Sequence, residues 1–132
     1  MGNEWKEYRL GEITKWYSGG TPPKSNPDYW GGDIPWISAS SMSGNRYGDS
    51  KLKLTVEGLE KGSRLAPKNS ILLLVRGSIL HQRIPVGITT KEVAFNQDVK
   101  ALVAKESLVD HWFLLYWFMS KEYELLRKVE NT

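Results

Sequence analysis

Ser70-Ile71-Leu72-Leu73-Leu74-Val75 is the stretch of this sequence that decides the fold. It is a continuous apolar run between two turn signals, Pro67-Lys68-Asn69 before it and Arg76-Gly77-Ser78 after it. A short run of this kind is typical of a strand that is buried on both faces. We therefore expect a central strand here, with the remainder of the chain packed around it.

A second apolar segment, at roughly 110–128, predicts a C-terminal helix that is capped by Ser107 or Asp110. Two turns of this segment are apolar almost all round, so we expect the helix to pack on more than one neighbour. A second, shorter helix is predicted to begin at Thr55, which is followed by an acidic first turn, and to end before Gly62.

Three further stretches predict strands. Ile34–Ile37 contains Pro35, which places it at a sheet edge or at the first residues of a strand. The other two are 85–90 and 99–103. Strands and helices that follow one another without regular alternation indicate the α+β class. The expected architecture is a single domain with a mixed twisted sheet, short helices and a C-terminal packed helix.

Composition excludes several classes of protein. The 132 residues fit one domain, and the absence of cysteine rules out disulfides and thiolate metal sites. No apolar run approaches the ~18 residues of a membrane span, and the N-terminus lacks a secretory signal pattern, so we expect a cytoplasmic location with no membrane partner. Residues 44–91 carry nine Lys/Arg against three Asp/Glu, a net charge of +6 in a chain of +3. Such a basic segment indicates either a polyanion partner or a solvated lysine surface.

The chain carries a series of motifs in one order, and this series resembles the target recognition domain of the specificity subunit of type I restriction–modification systems. The motifs lie at Gly19–Pro22, Trp30–Trp36, Thr55–Leu59, Pro67–Arg76, Pro85–Ile88, Phe95–Leu102 and Asp110–Met119.

The resemblance implies a domain organisation and a set of partners. It implies an N-terminal tail at 1–4, a recognition domain at 5–120 and the start of a spacer helix at 121–132. Whole subunits of this family hold two such domains, so this chain is expected to be a half-subunit, an excised domain or a standalone relative. The implied partners are double-stranded DNA, the methyltransferase and restriction subunits, and a second recognition domain or a homodimer formed through the C-terminal helix. Methylation and cleavage then belong to the partner subunits, and no cofactor is expected here.

Two loops, 38–54 and 76–84, hold most of the side chains that could contact DNA. Arginine suits guanine edges and phosphates, glutamine suits adenine, and serine suits either, whereas lysine suits phosphates above all. For Arg76 an ion pair with an acid such as Asp98 is the alternative, and for Asn96-Gln97-Asp98 we favour a structural role. The predicted DNA-binding residues are Lys24, Arg46, Lys51, Lys53, Arg76, Ser78, His81, Gln82 and Arg83.

Other functions find less support in the sequence. The six Trp and six Tyr leave open an aromatic-lined carbohydrate- or peptide-binding module. His81 and His111 are the only histidines, and we expect no metal site because no further ligand lies at metal spacing beside Asp110-His111. The sequence has no nucleophile elbow, phosphate loop or zinc motif, so we expect no catalytic residues.

Overall fold

The computed structural model describes residues 9–122 and residue 124. The predicted tail at 1–4 and most of the predicted spacer segment at 121–132 therefore lie outside the described residues. Three helices are described, α1 (Leu10–Ile13), α2 (Val56–Gly62) and α3 (His111–Ser120). The strands are β1 (Thr14–Ser18), β2 (Trp30–Ile37), β3 (Arg46–Tyr47), β4 (Lys53–Leu54), β5 (Leu65–Ala66), β6 (Ile71–Leu74), β7 (Val86–Thr89), β8 (Val93–Phe95) and β9 (Val99–Ala104).

The strands form two sheets, with orders β1-β9-β6-β7-β3 and β4-β2-β8-β5. Each sheet is mixed, because β3 runs parallel to β7 and β2 runs parallel to β8 whereas the other pairs are antiparallel. The predicted α+β class is confirmed, with the strands divided between two sheets.

Strand β6 lies at the centre of the five-stranded sheet, as its apolar run predicts. All four of its residues are buried, with Leu72 fully inaccessible to solvent. Val75 lies beyond the strand and is exposed. Side chains from β6, β7, β9 and α3 form the main core, and a smaller cluster joins Trp36, Leu54 and Ala94 in the other sheet.

The two predicted helix caps are present. The Thr55 hydroxyl accepts a hydrogen bond from the Gly58 amide at 3.0 Å, and α2 ends at Gly62. An Asp110 carboxylate oxygen accepts from the amides of Trp112 and Phe113 at the start of α3. Each cap satisfies amides that the first turn of a helix leaves unpaired.

Helix α3 packs on the five-stranded sheet with one face only. Leu114, Leu115 and Phe118 are buried against the sheet, whereas Phe113 and Tyr116 on the other side are 55% and 58% exposed. Its apolar sequence predicts packing on more than one neighbour, and α3 contacts three strands of that sheet, β6, β7 and β9.

Both positions predicted for Pro35, a sheet edge or the first residues of a strand, are wrong, because β2 lies between β4 and β8 and Pro35 is the sixth of its eight residues. Pro35 faces Lys53 of β4, a strand of only two residues, and the β2–β4 register is broken between Trp30 and Ile34. A strand that is hydrogen-bonded irregularly on this side can hold a residue that has no amide hydrogen. Strand β8 is not predicted at all, since three residues between polar neighbours give no recognisable pattern.

Candidate nucleic-acid interface

Strands β1, β2, β6 and β8 all end at the same end of the two sheets, which we call the loop end. Strand pairing places Ser18 opposite Lys100 and Leu74 opposite Val99, so β1 and β6 end where β9 begins. Strands β2 and β8 run parallel and end together, where the Asn96 amide donates to the Ile37 carbonyl at 3.0 Å. The loop end therefore gathers the segments 19–29, 38–45, 75–85 and 96–98 from distant parts of the sequence.

Arg76 lies at the loop end, directly after the central strand. Its Nε is 3.5 Å from an Asp98 carboxylate oxygen, which is the ion pair that the sequence offered as an alternative to DNA contact. The Arg76 side chain nevertheless remains 69% exposed. Next to it, Gly77 has a φ of 135°, a conformation that favours glycine. The ion pair thus fixes one nitrogen of a guanidinium that still faces solvent.

Arg83 connects two of the loops. Its Nη2 donates to the Met42 carbonyl at 3.1 Å, so the segment 75–85 is joined to the segment 38–45. Between the two arginines, Ser78–His81 form a 3₁₀ turn, and Ser78, His81 and Gln82 are exposed. This turn presents three of the predicted contact residues beside Arg76.

Lys51 and Lys53 lie beside β2, at an open cleft. The cleft has a volume of about 400 Å³ and is lined by Ser40, Ser41, Asp49, Ser50 and Lys51. The Lys53 ammonium is 3.2 Å from an Asp49 carboxylate oxygen. A hydrogen bond from the Ser50 amide, followed by the Lys53 interactions, holds the pKa of Asp49 below its usual value. Asp49 thus offsets the charge of Lys53, while no ion pair involves Lys51 within the described ranges.

Arg46 and Lys24 rest on aromatic rings. The Lys24 ammonium lies 5.4 Å from the centre of a Trp36 ring, and the Arg46 guanidinium lies 5.1 Å from a Trp112 ring. Trp112 belongs to the first turn of α3, whereas Glu122, beyond the end of that helix, accepts a hydrogen bond from Ile84 at the loop end. The Arg46 side chain is therefore directed toward the start of α3, and none of the described contacts joins it to Arg76 or Arg83.

Two polar residues at the loop end were missed by the sequence analysis. The Thr21 hydroxyl donates to the side-chain oxygen of Gln97 at 2.6 Å, and the Lys100 ammonium donates to the Ser18 hydroxyl at 2.6 Å. Both Gln97 and Lys100 lie outside the basic segment 44–91, in the Phe95–Leu102 motif, of which we interpreted Asn96-Gln97-Asp98 as structural. That interpretation fits Asn96, which is buried and accepts from the Asp98 amide through its side chain.

The expectation that no further ligand accompanies Asp110-His111 is wrong. A Glu106 oxygen lies 2.6 Å from His111 Nδ1, an Asp110 oxygen lies 3.9 Å from it, and the three potential ligand atoms lie within 4.8 Å of one another. The loop before α3 brings Glu106 back to the start of the helix, which sequence spacing does not reveal. A Glu106–His111 hydrogen bond and the Asp110 cap account for this arrangement.

The fold and the loop end define a recognition module, in which a rigid pair of sheets carries polar and basic loops. The chain belongs to the type I restriction modification DNA specificity domain family, whose model matches residues 2–131. It is similar to the specificity subunit of the type I restriction enzyme EcoR124I/EcoR124II of Escherichia coli, with 37% identity over 98% of this chain and 32% of the relative. The MjaIX specificity subunit of Methanocaldococcus jannaschii is 29% identical over 89% of this chain and 27% of its own length.

Two solved structures share the fold. The HsdS subunit from Thermoanaerobacter tengcongensis superposes with a TM-score of 0.74 at 19% identity, over 96% of this chain and 30% of that chain. A second structure, which concerns the structural basis of complex assembly and conformational transition of the type I R-M system, gives a TM-score of 0.75 at 19% identity. The match covers 95% of this chain and 30% of that chain. The chain thus spans about a third of the length of the relatives that it matches.

Proposed function

We propose that this chain binds duplex DNA sequence-specifically and directs a type I restriction–modification complex to one half of its target site. The observation that carries the proposal is the convergence of basic and polar loops at one end of the sheets, in a chain that belongs to a DNA specificity domain family. Loops held on a rigid scaffold are the usual location of binding residues. A duplex that lies across the loop end meets several of these loops at once.

The geometry suggests a division of roles. Arg76, with Ser78, His81 and Gln82 beside it, reads base edges, because these side chains are exposed and carry the hydrogen-bonding groups that the major groove matches. Lys51, Lys53 and Lys24 contact phosphates, which position the duplex without reading its sequence. One guanidinium nitrogen of Arg83 donates to the Met42 carbonyl, so Arg83 helps to position the loops and also contributes positive charge. Arg46 lies outside the surface that a duplex at the loop end covers.

The remaining steps belong to partners. Methylation and cleavage reside in the methyltransferase and restriction subunits, in the cytoplasm, and this chain supplies the recognition. One half-site gives few phosphate contacts, so the chain alone binds DNA weakly. Full specificity requires a second recognition domain, in the same subunit or in a homodimer formed through the C-terminal helix. No helix among the described residues is long and apolar enough to cross a membrane.

The alternative, an aromatic-lined carbohydrate- or peptide-binding module, has less support. Trp36 is buried and packs edge-to-face against the half-buried Trp30 at 5.1 Å, so both rings belong to the small hydrophobic cluster of the four-stranded sheet. The cleft beside β2 is lined by serine, aspartate and lysine, without an aromatic ring.

Selection of bound sequences from a randomised duplex library, at two salt concentrations, tests the proposal. We expect enrichment of one short sequence, and an affinity that falls as salt rises because counterions are released when phosphates are neutralised. Enrichment of no sequence by the chain within its assembled complex, or an affinity independent of salt, contradicts the proposal. In that case the aromatic alternative is tested next.

A further inference from the structure

We propose that Lys100 and Gln97 form a phosphate anchor that holds the DNA backbone beside Arg76, independently of sequence. The inference rests on the proposed function and deepens it, since it names a contact outside the basic segment 44–91. The ligand class is a phosphodiester oxygen of the duplex.

The two arginines of segment 75–85 at the loop end are already engaged. Arg76 is paired with Asp98, and Arg83 donates to the Met42 carbonyl. Lys100 differs, because its ammonium donates to the neutral Ser18 hydroxyl, and no acidic side chain pairs with it in the part of the chain that the structure describes. Its positive charge is therefore not compensated by a carboxylate, while the hydrogen bond fixes its position.

Gln97 is fixed in a similar way. The Thr21 hydroxyl donates a hydrogen bond to the side-chain oxygen of Gln97 at 2.6 Å, and Gln97 is exposed. A glutamine reads adenine through its oxygen and its amide nitrogen together. Because the Gln97 oxygen already accepts from Thr21, its side-chain amide N–H groups remain to donate hydrogen bonds to DNA. Amide donors of this kind commonly bind phosphate oxygens.

The two pairs lie on neighbouring segments at the loop end. Ser18 is opposite Lys100 in the β1–β9 pairing, and Thr21 and Gln97 meet three residues further along each segment. Three extended residues span at most ~10 Å, which is about three base-pair rises along one DNA strand. Lys100 and Gln97 can therefore contact nearby phosphates of the same strand.

The segment that carries Thr21 is held rigidly. The Gly20 amide donates to the Phe95 carbonyl at 3.0 Å, and a Cβ atom on Gly19 would collide with that carbonyl. Gln97 is also the direct neighbour of Asp98, which pairs with Arg76. An anchor in this position fixes the register of the backbone next to the side chain that reads the bases.

The test compares Lys100→Ala with Lys100→Arg, and uses Lys68→Ala as the matched control. Lys68 is an exposed lysine in the turn before β6, at the opposite end of the sheet. Affinities of the chain within its assembled complex for the selected duplex and for a scrambled duplex are measured across a salt series, with thermal melting of each variant to compare folding. A second arm replaces single phosphates of the selected duplex by neutral methylphosphonates, and a third adds inorganic phosphate as competitor.

We expect Lys100→Ala to weaken both duplexes by the same factor, about eightfold at 0.1 M salt, and to reduce the salt slope by about one. Lys100→Arg keeps the charge and the slope, and Lys68→Ala binds like the unsubstituted chain. At least one methylphosphonate that weakens the unsubstituted chain leaves Lys100→Ala unaffected. Inorganic phosphate at the same ionic strength as a chloride control does not displace the duplex.

Several results would overturn the anchor. They are an unchanged slope in Lys100→Ala, a loss confined to the selected duplex, loss of the slope in Lys100→Arg as well, and displacement by inorganic phosphate alone. Absence of any duplex binding by the unsubstituted chain in its assembled complex overturns the proposed function itself. Binding by that chain with an unchanged Lys100→Ala slope overturns the anchor only.

Discussion

Substitution of Arg83 should lower the stability of the fold, whereas substitution of Arg76 should impair DNA recognition, although the two residues are only seven positions apart. Arg83 is half-buried and donates to the Met42 carbonyl at 3.1 Å, and the Met42 side chain is fully inaccessible to solvent. A hydrogen bond from a charged group contributes about 1.5–3 kcal/mol, and an acceptor left unpaired inside a protein costs a similar amount. We therefore expect Arg83→Ala to lower the free energy of unfolding by about 2 kcal/mol.

Arg76→Ala should behave differently. Its ion pair with Asp98 is 3.5 Å long and the side chain is 69% exposed, so solvent screens the interaction. Exposed pairs of this kind contribute about 0–1 kcal/mol, and we expect a change in the free energy of unfolding of less than about 0.5 kcal/mol. If Arg76 reads a base, the same substitution should weaken binding of the selected duplex by ~1–3 kcal/mol and relax the preference at one position.

Urea denaturation of both variants measures the free energy of unfolding, and its dependence on urea concentration should have the same slope in both. Selection from the randomised duplex library measures the sequence preference. Equal losses of stability in the two variants would refute the assignment of Arg83 to the loop junction. Unchanged affinity and unchanged preference in Arg76→Ala would place the recognition surface elsewhere.

Substitutions at three further positions test the fold and the interface. Leu72→Ala, in the fully buried centre of β6, should lower the free energy of unfolding by ~2–5 kcal/mol in urea titrations, and a loss below 1 kcal/mol would contradict the core assignment. Thr55→Ala removes the cap that accepts from Gly58 and should cost ~1 kcal/mol in the same measurement, whereas Thr55→Ser should cost little. Lys51→Ala should weaken the selected and scrambled duplexes alike and reduce the salt slope by about one, and a loss specific to one sequence would contradict a phosphate contact.

Local patterns in the sequence predict much of the fold. The apolar run at β6 and the cap at Thr55 act within a few residues, so each could be recognised without knowledge of the tertiary structure. Strand β8 could not be recognised, since its three residues become a strand only when β2 and β5 pair with them. The internal position of Pro35 also depends on its partner strand, because β4 has only two residues and forms few hydrogen bonds with β2.

The candidate site was predictable as a set of loops but not as an arrangement. Polar composition predicted one loop that carries Arg76 and Arg83, but the pairing of Arg76 with Asp98 involves an acid from another strand connection. The direction of the Arg46 side chain follows from the parallel β3–β7 pairing and from α3, neither of which a local pattern contains. Lys100 was missed because a lysine inside a strand pattern gives no sign of the loop that lies beside it.

The segment 76–84 enters and leaves the sheets between two backbone hydrogen bonds, from Val75 to the Asp98 carbonyl and from Leu74 to the Pro85 carbonyl. These bonds involve only main-chain atoms, so they do not depend on the exposed side chains between them, whereas Leu80 and Ile84 of the same segment are buried in the core. The exposed residues of the segment can therefore be exchanged while both bonds persist. If this segment reads bases, exchanging its exposed residues for those of a relative should change the target preference while both ends of the segment stay in place.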